Sequence, residues 1–175
     1  MTISRFDAFL AARGLLLDGV VVGGTALGLL GVVSRQTRDC DILYPALSAD
    51  ILEAARAFAA QRRADGDALA DDWLNNGPSS LADVLPEGWQ TRTIVVFAGS
   101  AVTLRSLGRA DLLRSKLFAL CDRGIDLGDC LALQPTRAEL RKLSAWLEVR
   151  DAHPDWPAHV RETLVDLGRR LGHGV

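Results

Sequence analysis

Two short stretches decide the fold of this chain: Val-Val-Val-Gly-Gly-Thr at residues 20–25 and Arg-Asp-Cys-Asp-Ile-Leu-Tyr at residues 38–44. The apolar residues of both stretches predict buried β-strands, and the Gly-Gly pair predicts a tight turn into a helix. On an extended chain residues i and i+2 share a face, so Asp39 and Asp41 would point the same way. The sequence therefore predicts two carboxylates at one spot, a short helix away from a glycine turn.

The acidic pair needs a positive partner. Two unit charges repel by roughly 4 kcal/mol at about 4 Å and an effective dielectric near 20. Magnesium is the expected partner, with manganese as the second choice, because such hard ions are held by one or two carboxylates together with substrate phosphates. In the alternative interpretation, Arg35 and Arg38 pair with the aspartates at a solvated strand end. The residues alone leave both interpretations open.

Composition excludes several classes of protein. The chain has 175 residues, 49% of them hydrophobic, and a formal net charge of −2. These values exclude a disordered chain and a strongly basic protein that coats nucleic acid. We expect a cytoplasmic location, because the sequence shows neither a signal pattern nor an apolar stretch long enough for a bilayer. Cys40, Cys121 and Cys130 lack C-x-x-C spacing, so we interpret them as small buried residues.

Periodicity predicts an α+β fold, a small mixed sheet flanked by helices and followed by a helical bundle. We expect one domain over residues 1–175, with a sheet-containing core in 1–108 and a helical part in 109–175 packed on it. The predicted strands are 20–23, 39–44, 91–97 and 101–105. The predicted helices are 25–30, one capped by Ser48, 111–122, 126–133, one with a Thr136–Glu139 capping box and one ending near Leu171.

Two local signals are less distinctive. Ser4 and Asp7 have the spacing of a capping box for an N-terminal helix. Trp73 precedes a polar segment, Asn75 to Pro78, which is typical of a turn. We interpret Trp73 as a packing residue.

The glycine turn has a chemical interpretation. Helix-start N–H groups attract phosphate oxygens, and glycines let a phosphate approach the main chain closely, which makes Gly23, Gly24 and Thr25 a candidate phosphate cradle. A tight bend with no ligand is the alternative.

The strings Gly-Gly-Thr-Ala-Leu (23–27) and Arg-x-Thr-x-Asp-x-Asp (35–41) resemble the signature of the nucleotidyltransferase superfamily. They are most similar to minimal bacterial members that include the abortive-infection type toxins. The separation of Gly24 and Asp39 is slightly longer than in many relatives, which suits the motif if the intervening turn is loose. The resemblance implies that Gly23, Gly24 and Thr25 hold a nucleoside triphosphate and that Asp39 and Asp41 bind the metal.

A second block extends the resemblance to about residue 133, with Leu112–Ala119, Arg123 and Asp126-Leu127-Gly128-Asp129. Lys116 shares a helical face with apolar neighbours, so it points inward and needs an anion, unless its stem snorkels past the core edge. By resemblance it grips the triphosphate, and Asp126 and Asp129 contribute to nucleotide binding. Helix capping by these two aspartates is the alternative.

The resemblance implies transfer of a nucleoside monophosphate to a hydroxyl of a tRNA end, a protein or a small molecule. It also implies a possible toxin with an antitoxin partner, and no membrane. One feature departs from the superfamily. Many members carry a third carboxylate on a neighbouring central strand, and the matching segment, Thr93 to Phe97, has none. A degenerate module that binds or regulates without catalysis therefore remains the alternative.

Overall fold

The computed structural model describes residues 2–35 and 37–173 and has a mixed α/β fold. The sheet contains five strands: β1 Leu17–Val22, β2 Cys40–Tyr44, β3 Leu74–Asn75, β4 Ile94–Ala98 and β5 Val102–Ser106. The helices of the described residues are α1 Thr2–Ala11, α2 Gly23–Leu29, α3 Ala49–Ala64, α4 Leu81–Val84, α5 Arg109–Arg123, α6 Leu127–Leu133, α7 Arg137–Glu148 and α8 Trp156–Arg170. A short 3₁₀ helix, Trp89–Arg92, precedes β4. The predicted fold class is confirmed.

The chain divides into two compact units, Met1–Gly108 and Arg109–Val175. The first contains the sheet, in the order β3-β2-β1-β5-β4. Strand β1 pairs antiparallel with β2 and parallel with β5, which makes the sheet mixed. In the described part of the chain, no helix is both long and apolar enough to cross a bilayer.

The core of the first unit joins α1 and α3 to the sheet. The rings of Phe6, Phe58 and Trp73 pack with centroids 5.0–5.8 Å apart. Trp73 is 2% exposed, and its indole nitrogen donates to the Ala55 carbonyl at 3.1 Å, so its interpretation as a packing residue is confirmed. This aromatic packing, which is edge-to-face between Phe6 and Trp73, holds the strand that follows Trp73 in a fixed position.

Of the helix caps predicted from the sequence, two are present in the structure and one is not. Thr136 and Glu139 form the predicted capping box at the start of α7, and Ser48 caps α3. The capping box predicted for Ser4 and Asp7 is wrong, because α1 begins at Thr2 and Ser4 lies inside it. The Asp7 carboxylate instead accepts hydrogen bonds from the three backbone N–H groups of residues 100–102, which lead into β5. These bonds, with that of Ala101 the largest, lower the pKa of Asp7.

The third-carboxylate comparison also needs a correction. The segment Thr93 to Phe97 falls largely in β4, which lies at the edge of the sheet and does not pair with β1. Besides β2, which carries Asp41, the strand that pairs with β1 is β5, with the sequence Val-Thr-Leu-Arg-Ser. That strand carries no carboxylate either, so the departure from the superfamily holds for a different strand.

Candidate active site

Gly23 begins α2 directly after β1, and its φ of +67° is one that residues with a Cβ rarely adopt. A Cβ at this position would lie 2.8 Å from Oδ2 of Asp41. The antiparallel pairing of Val22 with Asp41 produces this close approach. The glycine turn and the second acid of the D-x-D pair therefore meet at one point.

The next two residues of the turn contact the segment that leads into β2. A Cβ on Gly24 would overlap Cγ2 of Thr37. The Thr25 hydroxyl donates to the Asp39 carbonyl at 2.6 Å and lies 2.9 Å from the Thr37 hydroxyl. Because a hydroxyl has a single proton, the Thr37 hydroxyl is the donor to Thr25. The three residues predicted to cradle phosphate thus also fix the chain around Asp39.

Burial follows the predicted alternation from residue 39 to residue 42, while the convergence of the two carboxylates on one spot stays a prediction. Cys40 and Ile42 are buried, while Asp39 is exposed and Asp41 is half-buried. Burial, and secondly the charge of Asp41, raises the pKa of the Cys40 thiol to about 12. A neutral thiol is a poor metal ligand, so the carboxylates are the groups here that can hold a hard cation.

Asn75 contacts the site, although its sequence context predicted a turn. It ends β3, which pairs parallel with β2 so that Asn75 lies opposite Asp41. Its Nδ2 donates to Oδ1 of Asp41 at 3.1 Å and its Oδ1 accepts from the Gly77 N–H at 2.6 Å. The backbone donor fixes which end of the amide faces the carboxylate. No local pattern predicted this contact, because β3 has only two residues and its pairing with β2 is what places Asn75 opposite Asp41.

A cleft of about 390 Å³ opens beside this arrangement. The described residues that line it include Thr25, Thr37, Asp39 and two arginines, Arg35 and Arg38, together with apolar residues, whereas Gly23 and Asp41 are not among them. Among the described residues Asp39 and Arg38 form no ion pair, so the interpretation in which arginines occupy the acids does not apply to Asp39. The cleft thus combines a carboxylate with cationic groups, as a site for a metal and phosphates requires.

The donor set fits magnesium better than zinc. No group of three or more His, Cys, Asp and Glu side chains suited to a metal occurs in residues 2–35 and 37–173. A structural zinc site needs four such ligands. Magnesium needs one or two carboxylates and completes its shell with water and phosphate oxygens, so Asp39 and Asp41 suffice in number, and their binding of the ion stays a prediction.

The second unit contains the other predicted site residues. Lys116, which is 5% exposed, donates from Nζ to Asp129 at 2.7 Å and to Asp126 at 3.2 Å. Asp126 occupies the N-cap position of α6 but forms no side-chain cap hydrogen bond, so a capping role for it is not supported. The buried lysine has its anions within its own unit, and a role of these three residues toward nucleotide stays a prediction.

A strand, a Gly-Gly turn, a helix and a D-x-D strand on a mixed sheet define the nucleotidyltransferase class of protein. The family described as "Nucleotidyltransferase of unknown function (DUF6036)" matches residues 3–132, and the chain belongs to that family. Searches of curated proteins and of solved structures each found no significant match. The matched segment contains every residue that the sequence predicted for the site.

Proposed function

We propose that this protein is a magnesium-dependent nucleotidyltransferase that moves a nucleoside monophosphate from a nucleoside triphosphate to a hydroxyl acceptor. In such a reaction the acceptor oxygen bonds to the α-phosphorus, the bond from that phosphorus to the bridging oxygen breaks, and pyrophosphate leaves. The hydroxyl proton is lost to water. The observation that carries the proposal is the approach of the Gly23 turn to the Asp41 carboxylate.

Each residue of the first unit has a distinct role in this proposal. Asp39 and Asp41 would hold the magnesium ion, which when bound stabilises charge on the transferring phosphate. Gly23 and Gly24 lack the side chains that would collide with Asp41 and Thr37, so the turn packs against the acidic segment, and its backbone N–H groups would bind phosphate oxygens. The Thr25 hydroxyl is already bonded to the Asp39 carbonyl, so it positions the acid.

The acceptor and the biological role rest on the resemblance to abortive-infection type toxins. We propose a tRNA end or a protein hydroxyl as the acceptor and an antitoxin as a partner in the cytoplasm. The mild acidity of the chain argues against a long RNA footprint, since phosphate contacts need clustered cations. A tRNA end needs only a few arginines, such as the two that line the cleft.

A degenerate binding module is the second candidate. The observation that favours it is β5, the strand beside β1, which carries no carboxylate. Such a module would bind nucleotide and magnesium without transferring a nucleotidyl group.

Label transfer distinguishes the two candidates. The protein is incubated with each α-labelled nucleoside triphosphate, with magnesium or EDTA, and with total tRNA or cell protein. Catalysis predicts magnesium-dependent label on one acceptor, lost in Asp39→Asn and in Asp41→Asn and kept in Glu53→Gln, which removes an equal charge from an exposed position on α3. Nucleotide binding that survives Asp39→Asn, with no transfer to either acceptor pool, would favour the binding module.

A further inference from the structure

A groove of about 600 Å³ lies between α7 and α8, outside the predicted site. Its floor is aliphatic and consists of Leu140 from α7 and Leu164, Val165 and Gly168 from α8. Val165 is 50% exposed, which is unusual for a residue on an apolar helix face. A Cβ on Gly168 would meet its neighbours at no less than 3.8 Å, so helix packing does not require glycine there. The missing side chain leaves the groove deeper than packing demands.

Four exposed arginines surround this floor: Arg137, Arg141, Arg161 and Arg169. Arg161 pairs with Glu148 at 2.7 Å. In the described part of the chain the other three form no ion pair, and the groove lining contains no Asp or Glu. A chain with net charge −2 therefore concentrates uncompensated positive charge around one apolar surface.

The lining residues follow helical spacing. On α7 they occur at positions 137, 140, 141 and 144, and on α8 at 161, 164, 165, 168 and 169. The i, i+3, i+4, i+7 pattern places each set along one face, so the groove extends over about two turns, roughly 10 Å at 1.5 Å per residue. A groove of this form accepts an amphipathic helix laid between two helices.

We propose that this groove is the docking site for an acidic, amphipathic helix of a partner protein. Aliphatic residues of that helix contact Leu140, Leu164 and Val165, and its flanking carboxylates pair with the arginines. Single-stranded nucleic acid is a poorer fit, because such sites stack bases on aromatic rings and the lining has no Phe, Tyr or Trp. The proposal does not depend on the nucleotidyltransferase activity.

The test uses the full chain and a labelled model peptide with leucines at i, i+3 and i+7 and glutamates on both flanks. Fluorescence anisotropy should show binding that weakens with salt, and weaker binding of a scrambled peptide of equal composition. Arg141→Glu converts an attraction to a repulsion and should weaken binding by about fivefold or more. Lys142→Glu is the matched control, because it changes the same charge one residue along α7 outside the lining.

A second pair of variants tests the apolar floor. Val165→Asn should weaken peptide binding, while Val149→Asn, at another exposed valine, should leave it unchanged. Circular dichroism melts check that each variant folds. Equal effects of Arg141→Glu and Lys142→Glu would overturn the proposal. Absence of peptide binding at millimolar concentration would overturn it too, as would preferential binding of a single-stranded RNA that Arg141→Glu abolishes.

Discussion

A double-mutant cycle at Gly24 and Thr37 tests how the glycine turn is held against the acidic segment. A methyl group added by Gly24→Ala overlaps Cγ2 of Thr37, and overpacking of this kind costs roughly 1–3 kcal/mol. Alanine also gains up to about 1 kcal/mol over glycine as a helix former. We therefore expect a net loss of about 1–2 kcal/mol in the free energy of unfolding.

Thr37→Ser removes the methyl group that Gly24→Ala would overlap and keeps the hydroxyl that contacts Thr25. Alone it should cost about 0.8 kcal/mol or less, the value of one buried methylene group. In the Gly24→Ala/Thr37→Ser variant the overlap is gone, so the two changes should couple favourably by about 1–2 kcal/mol.

Urea unfolding followed by far-ultraviolet circular dichroism measures all four corners of the cycle. Gly28→Ala is the matched control, because it lies in the same helix and a Cβ there meets nothing within 4 Å. It should stabilise the protein by up to about 1 kcal/mol. Strictly additive effects of Gly24→Ala and Thr37→Ser would refute the contact as the reason for glycine at position 24.

Three further predictions concern charged or polar groups. Lys116→Met leaves the buried Asp129 carboxylate without its cation and should cost about 3–5 kcal/mol in urea unfolding, with a smaller loss when Asp129→Asn is added. A loss below about 1 kcal/mol would contradict this. Arg109 donates a hydrogen bond to Glu139, and this bond is the main cause that lowers the pKa of Glu139 from 4.5 to about 2. The pair therefore stabilises the fold above pH 4.5 and loses this effect as the pH falls through about 2. Because the pair is partly exposed, Glu139→Gln should be less stable than wild type by only about 1 kcal/mol at neutral pH. This difference should vanish in thermal melts at acid pH. A difference that does not change with pH would exclude the charge of Glu139 as its cause. Asn75→Asp places a third carboxylate against Asp41, so magnesium should raise the melting temperature of this variant more than that of wild type. Equal rises in the two proteins would mean that the ion binds elsewhere.

Elements with a local signal were predictable from sequence. The Thr136–Glu139 box formed as predicted because both partners lie within one helical turn. Asp7 has the same spacing from Ser4, yet its carboxylate binds backbone groups more than 90 residues away, where the loop before β5 needs acceptors. A local rule cannot detect such a competitor, and the long-range partner determined the outcome.

In the candidate site too, local features could be predicted from the sequence, whereas long-range contacts could not. The burial of Cys40 and Ile42 beside the more accessible Asp39 and Asp41 follows from strand geometry alone, although the alternation ends there because Leu43 is buried as well. Asn75 could not be predicted as their neighbour, because β3 has two residues and no periodic pattern, and only its pairing with β2 places it beside Asp41. Strand order likewise decides that β5 rather than β4 is the neighbour of β1, which periodicity does not report.

The contacts around Thr37 also explain how a long separation between the two motifs is tolerated. The longer separation would suit the motif if the intervening turn were loose, and in the structure Leu30, Gly31 and Val32 donate backbone hydrogen bonds to carbonyls of α2 at 2.9–3.1 Å. At the other end of the connection, the hydroxyls of Thr25 and Thr37 meet at 2.9 Å. Both ends are therefore held on α2, so the number of residues between them has little effect on where Asp39 lies. What the site requires is a small residue at position 24 and a hydroxyl on each side of the contact, rather than a fixed spacing between glycine and aspartate.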